Sequence, residues 1–182
     1  MNPSLAWIVT ALATASPVLA GDGTTKSQSL FHFAKSDSSN EVHYTAQIGE
    51  DCQFAPRPIH VYWMRRGERL EYRRELNWAE KQFAYGVDIQ QRQGSAVIFT
   101  IAGDTSRSIR VELTKTDSGC RAEARMRILG QRVKPEHAFI DLRDRKPMIP
   151  KVIHVDLLGR KDNDSAVCER ITEVGIDGTP CL

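Results

Sequence analysis

From Leu30 onward, apolar and polar residues alternate at a period of two, and turn residues interrupt them roughly every 10–15 positions. A strand sends successive side chains to opposite faces, so this pattern commits the chain to sheet with one side buried. The clearest run is CRAEARMRIL, where Cys120, Ala122, Ala124, Met126 and Ile128 line one face and Arg121, Glu123, Arg125 and Arg127 the other. Ala, Glu and Arg favour helix, but the period decides for strand.

The same pattern recurs along the chain. LFHFAKS puts Leu30, His32 and Ala34 opposite Phe31, Phe33 and Lys35. After the turn Asp37–Asn40, Val42, Tyr44, Ala46 and Ile48 form a second apolar face. Gly49–Pro58, with its two prolines, reads as loop. Ile59–Arg65 is apolar on both faces, Ile59, Val61 and Trp63 against His60, Tyr62 and Met64, which predicts a central strand. Val87–Arg92 and Ala96–Ala102 flank a hairpin signal, SIRVELTK follows, and HAFIDLR, KVIHVDLLG and a piece around Val167–Val174 complete the set. The predicted fold is mainly β, an antiparallel β-barrel or curved β-sandwich with one short packed α-helix.

The helix is Trp78 to about Ala84. Asn77 is its N-cap, Glu80 occupies the capping-box position, and Gly86 is placed to end it in a left-handed conformation. Two turns are unstable alone in water, so Trp78 and Phe83 are expected to pack on the sheet.

The first 20 residues carry no charge and hold an apolar run from Leu5 to about Ala13. Val18 and Ala20 supply the small residues of a cleavage site, which predicts a signal peptide cut between Ala20 and Gly21. No cysteine follows that cut, which argues against a lipid-anchored form. A flexible lead-in, residues 21–29, then precedes a single domain, residues 30–182. With 25 basic and 23 acidic residues, the net charge of +2 gives no pull toward nucleic acid or acidic membranes, and no later stretch is long and apolar enough to span a bilayer. The expected location is periplasmic or secreted.

Four cysteines in an exported chain predict two disulfides. Three connectivities are open. Cys168–Cys181, pinning the glycine-rich tail, and Cys52–Cys120, tying two strand or loop ends across the domain, are the favoured pair. No cysteine lies in a metal-like spacing.

No nucleotide-binding glycine motif, HExxH or GxSxG is present. No catalytic residue and no cofactor is expected. His32, His60 and His154 would bind a metal only if they converged inside a barrel; a strand histidine is otherwise a hydrogen-bonded sheet residue. Glu71 and Glu75 among Arg69, Arg73 and Arg74, and Asp141 among Arg143, Asp144 and Arg145, read as surface ion networks. The row Arg121, Arg125 and Arg127, with Arg110 beside it, could offer guanidinium forks to a phosphate or carboxylate, against the plainer reading of a solvated face interleaved with Glu112 and Glu123. Tyr62, Trp63, Tyr85 and His60 are the candidate ligand-binding residues, because aromatics with polar handles build ligand walls as well as cores.

Three segments carry a family resemblance: FHFAKSDSSNEVHYTAQI, RPIHVYWMR and LNWAEKQFAYGV, with VIHVDLLG near the end. Together they resemble the DUF4833 family of exported bacterial proteins. The resemblance implies an exported domain of unassigned function and supplies no catalytic residues. Two functions are therefore expected in outline. One is a non-catalytic domain binding a small or lipid-like ligand near Tyr62, Trp63 and Tyr85. The other is a cell-envelope interaction module meeting a protein partner through its arginine face.

Overall fold

The computed structural model describes residues 25–67, 72–143, 151–172 and 178–181. The expected signal segment, positions 68–71 and 144–150, and positions 173–177, which include the end of the last expected strand, lie outside the described residues.

The strands are β1 (Lys26–Lys35), β2 (Ser38–Ile48), β3 (Phe54–Arg65), β4 (Arg74–Glu75), β5 (Val87–Gln93), β6 (Ala96–Ile101), β7 (Asp104–Thr116), β8 (Gly119–Ile128), β9 (Gln131–Arg143), β10 (Lys151–Arg160), β11 (Ala166–Ile171) and β12 (Thr179–Pro180). One helix, α1 (Trp78–Phe83), lies between β4 and β5. The strands join one sheet in the order β4-β3-β2-β1-β9-β8-β7-β6-β5, curled into a half-barrel, with β10, β11 and β12 branching from β9. The expected mainly β architecture with a single short helix is what the chain adopts.

β9 is where the sheet divides. Its first residues pair antiparallel with β8, Met126 opposite Val133 and Ile128 opposite Gln131. The same edge then pairs in parallel with β1, from His32 opposite His137 to Lys35 opposite Ile140. β10 runs antiparallel along the other edge. The sheet is thus not wholly antiparallel, as the local hairpin signals predict. A strand of 13 residues is long enough to serve two successive neighbours on one side, and it joins the N-terminal hairpin to the later strands. The β8–β9 turn is Leu129–Gly130, with φ of 48° and 72°, the paired left-handed geometry that matches strand twist in two-residue hairpins.

The alternation read from the sequence sorts the core. Val42, Tyr44 and Ala46 of β2, Val97 and Phe99 of β6, and Ile109 and Val111 of β7 are essentially inaccessible. They share one hydrophobic cluster with Ala122, Ala124, Met126 and Ile128 of β8. Phe31 stacks on Tyr44 at 4.6 Å, and the Tyr44 hydroxyl donates to the Tyr85 carbonyl at 2.9 Å.

Three local expectations are corrected. β1 starts at Lys26, inside the expected lead-in, because Lys26–Ser29 pair with Thr45–Ile48. The second half of the expected loop, from Phe54 to Pro58, is strand. After a 3-10 turn at Glu50–Cys52, β3 begins at Phe54, and Pro56 and Pro58 sit where the β2 register slips between Ala46 and Ile48. Proline is tolerated there because a bulge asks for no ladder donor. Arg92 donates to the carbonyls of Phe54, Ala55 and Pro56.

The third concerns α1. Its capping box forms, with Glu80 N–H on the Asn77 side chain at 2.9 Å and Asn77 N–H on the Glu80 carboxylate at 2.7 Å. However, Trp78 and Phe83 do not pack on the sheet. They are 72% and 66% exposed and meet each other edge to face at 5.6 Å. The helix buries no residue and is held by its caps and by the carbonyl of Glu80, which accepts from Ala84 and Tyr85. Gly86 does not adopt a left-handed turn. It is required for space, since a Cβ there would lie 1.8 Å from the Lys81 carbonyl oxygen.

Both favoured disulfides are present, Cys52–Cys120 and Cys168–Cys181. The first ties the turn before β3 to the start of β8; the second ties β11 to the residue after β12. No described helix is long and apolar enough to cross a membrane.

Candidate functional site

The four residues singled out as a ligand wall do not meet in one place. Trp63 and Tyr62 are neighbours on β3, so the pleat sends them to opposite faces. Trp63 points into the core, 7% exposed, with Tyr85 edge-on at 5.3 Å and the Lys35 ammonium 4.8 Å above its ring. Its indole N–H makes no hydrogen bond of good geometry, although the Glu80 carboxylate is near enough to feel it. Tyr85 packs against Phe33, and burial pushes its phenol up to about 12. Tyr62 is also buried, but on the far side of the sheet, under the Arg73 guanidinium at 5.7 Å. His60 sits beside it with Nε2 2.7 Å from Glu75 of β4.

Tyr62 ends a row of rings across four strands. His137 of β9, His32 of β1 and His43 of β2 stack in sequence at 5.5 and 5.4 Å, and His43 stacks on Tyr62 at 5.8 Å. Glu41 lies beside the row, 8% exposed, accepting from Arg66 at 2.7 Å and bonded to His43 at 3.2 Å. Burial holds the His32 imidazole below its ordinary value, with the neighbouring His43 and His137 adding to the effect against the opposing pull of Glu41. Burial works to raise the Glu41 carboxyl, but the Arg66 bond and the charges around it outweigh that and keep it low. His154 stands apart, 3.6 Å from both Asp141 and Asp156. His32, His60 and His154 therefore do not converge, and among the described residues no three His, Cys, Asp or Glu side chains are arranged to hold a metal.

The arginine row, by contrast, borders a cavity. Where the outer face of β7, β8 and β9 meets the end of β11, a groove of about 670 Å³ opens. Arg107, Arg110, Arg125, Arg127 and Arg132 line it together with Ser106, Ser108, Glu169 and Gly178. A volume of this order suits a small ligand. Its outer wall is banded: Arg110 lies directly opposite Arg125, and Glu112 directly opposite Glu123. Each arginine of the first band then bonds the glutamate two residues away on its own strand, Arg110 to Glu112 at 2.6 Å and Arg125 to Glu123 at 2.5 Å. Lys134 adds a contact to Glu123 at 2.7 Å and Asp162 one to Arg125 at 2.5 Å. Burial would raise the Glu123 carboxyl, but its bonds to Lys134 and Arg125 hold it low. Arg121 falls outside this groove, on a neighbouring cavity of about 300 Å³ shared with Lys134 and Arg160.

The groove floor depends on Glu169. Its side chain is 2% exposed and accepts four hydrogen bonds: two from Arg107 at 2.8 and 3.0 Å, one from Leu129 N–H and one from Gly178 N–H, both at 2.8 Å. Burial alone would raise its pKa, yet these donors hold it low, so it is an anion whose lone pairs are spoken for. Gly178 must be glycine, since a Cβ there would lie 2.5 Å from the Arg170 carbonyl oxygen. The Cys168–Cys181 bridge closes the 13-residue span that brings Gly178 back onto Glu169. Sequence reading does not find this floor. Arg107 and Glu169 are 62 positions apart, and only the cysteine beside Glu169 marks the region.

The profile of a family described as "Domain of unknown function (DUF4833)" matches residues 31–170. The chain belongs to the DUF4833 family. No curated protein and no solved structure matches it. The matched span of this DUF4833 chain runs from β1 into β11 and includes the ring row and the five groove arginines. Chemically the groove is suited to holding oxyanions: it has cationic forks and hydroxyls, while among the described residues its lining includes no histidine or cysteine and its one carboxylate is committed. The apolar gap between Phe31, Ile109, Met126 and Leu157 measures about 30 Å³, space on the scale of a water molecule and far below an acyl chain.

Proposed function

We propose that this chain is an exported, non-catalytic binding domain that holds a small anionic ligand in the groove of β7, β8 and β9. The observation that carries the reading is five arginine side chains around one cavity of about 670 Å³. Guanidinium groups match carboxylate and phosphate in geometry as well as charge. The polar lining favours a small charged ligand over the lipid-like one. Export is supported by the uncharged apolar N-terminus ending in Val18 and Ala20 and by two disulfides, which persist in oxidising compartments such as the periplasm or the exterior.

Mass spectrometry of the natively purified chain tests the reading. It is expected to find an N-terminus at Gly21, no free thiol and binding of small phosphates or carboxylates added at millimolar concentration. A chain that retains Met1 and free thiols would overturn export. A chain that binds none of the added anions but carries a co-purifying protein would favour a cell-envelope interaction module instead.

A further inference from the structure

The banded wall holds a second pair of directly opposed cations: Arg127 of β8 faces Arg132 of β9. Like charges directly opposite one another on a sheet destabilise it. The first such pair, Arg110 and Arg125, is neutralised by Glu112, Glu123 and Asp162 at 2.5–2.6 Å. The second pair is not. Arg132 reaches Glu112 only at 4.0 Å, and the Arg127 side chain bonds the Gly130 carbonyl at 3.4 Å, with no carboxylate partner among the described residues. Glu169, the one carboxylate lining the groove among the described residues, is saturated by Arg107 and two backbone N–H groups. The turn joining the two arginines is fixed, because Leu129 is held in a left-handed conformation, φ 48°, with its N–H on Glu169. The fold therefore places two cations side by side on a rigid hairpin and, among the described residues, supplies no carboxylate closer than Glu112 at 4.0 Å.

We infer that Arg127 and Arg132 form a subsite for a doubly charged oxyanion of the phosphate class, with Ser108 lining the same groove as a hydroxyl donor. The inference rests on the groove being a binding site. Two guanidinium forks flanking one tetrahedral dianion satisfy both charges, which a single carboxylate would not. The phosphate is either free or carried on a lipid headgroup, and the two are separated by experiment.

The test uses the full mature chain. Inorganic phosphate and acetate are titrated by calorimetry, and co-sedimentation is measured with phosphatidylcholine vesicles with and without phosphatidic acid. Phosphate is expected to bind at least tenfold more tightly than acetate. Arg127→Gln/Arg132→Gln is expected to weaken phosphate binding by about tenfold or more, the loss of charge-assisted hydrogen bonds, while Arg121→Gln, outside the groove, changes it less than threefold. Pelleting only with phosphatidic acid, abolished by the same double substitution, would identify the lipid-borne form. Both arginines are exposed, and a cooperative thermal transition with a midpoint no lower than that of the wild type establishes that the double variant is folded. Acetate binding as tightly as phosphate, or wild-type phosphate affinity in the folded double variant, would overturn the inference and leave the groove as a binding site. A loss on Arg121→Gln as large as that in the double variant would also overturn this subsite. No anion binding by the wild-type chain in either assay would overturn both.

Discussion

The face of the sheet turned away from the core carries two kinds of basic side chain, and they are handled in opposite ways. On β9, β1, β2 and β3, His137, His32 and His43 stack on one another and on Tyr62, and burial holds His32 below its ordinary pKa. On β7, β8 and β9 the cations are arginines, which stay charged, and glutamate bands neutralise all but the last row. Rings that partner each other close a surface. Fixed charges with no close carboxylate among the described residues leave it charged. The rings of Tyr62, Trp63 and Tyr85 are thus packed against neighbouring side chains, whereas the plainer arginine strand borders the groove.

Removing the anchor of each face should separate them most strongly. Glu169→Ala would leave Arg107, 17% exposed in its side chain, without its buried partner, and is expected to cost about 3–5 kcal/mol in urea unfolding. Glu41→Ala releases Arg66, which is 65% exposed and can return to water, so about 1–2 kcal/mol is expected. Equal losses would mean that the two carboxylates are not differently committed.

The disulfides come next. Cys52→Ser/Cys120→Ser opens a loop of 68 residues and should cost about 4 kcal/mol, against about 3 kcal/mol for Cys168→Ser/Cys181→Ser with its 13. Only the second should also weaken anion binding, because it frees Gly178 from Glu169.

The pH response sharpens the contrast further. His32 has a folded pKa below its unfolded value of 6.5, so the unfolded chain binds the proton first. Stability should fall as pH drops below 6.5, and His32→Gln should flatten that limb. Glu41, Glu169 and Asp156 are held below their ordinary values, so the stability they contribute is present above about 4.5 and is lost as pH falls through their folded values. Thermal unfolding from pH 8 to 3 should show both stages, and a single stage confined below pH 4.5 would mean that the ring row is not proton-linked. The smallest effect is expected for Trp78→Ala and Phe83→Ala, each within about 0.5 kcal/mol of wild type, since neither side chain is buried.

Much of the fold was legible because it is local. The period of two placed Val42, Tyr44 and Ala46 inside and Arg121, Arg125 and Arg127 on the other face, Asn77 and Glu80 announced their capping box, and an even set of four cysteines announced two bridges. What was not legible is long-range. The parallel pairing of β1 with β9 joins residues about a hundred positions apart, and no turn signal encodes it. Trp78 and Phe83 were expected on the sheet because two helical turns are unstable alone in water, but a six-residue helix sealed by its caps stands off it. Of the site, the arginine row was readable as a charged stripe. That it borders a groove follows from Arg107 and Glu169 meeting across 62 positions, which no local pattern reports.

The central claim is that the arginine groove, and not the ring row, receives the ligand. Backbone amide spectra recorded while inorganic phosphate is added test it directly. Movement is expected at residues 106–108 and 127–132, with the amides of His32, His43 and His137 unchanged at constant pH. Shifts centred on the ring row, with the β8–β9 turn silent, would contradict the account.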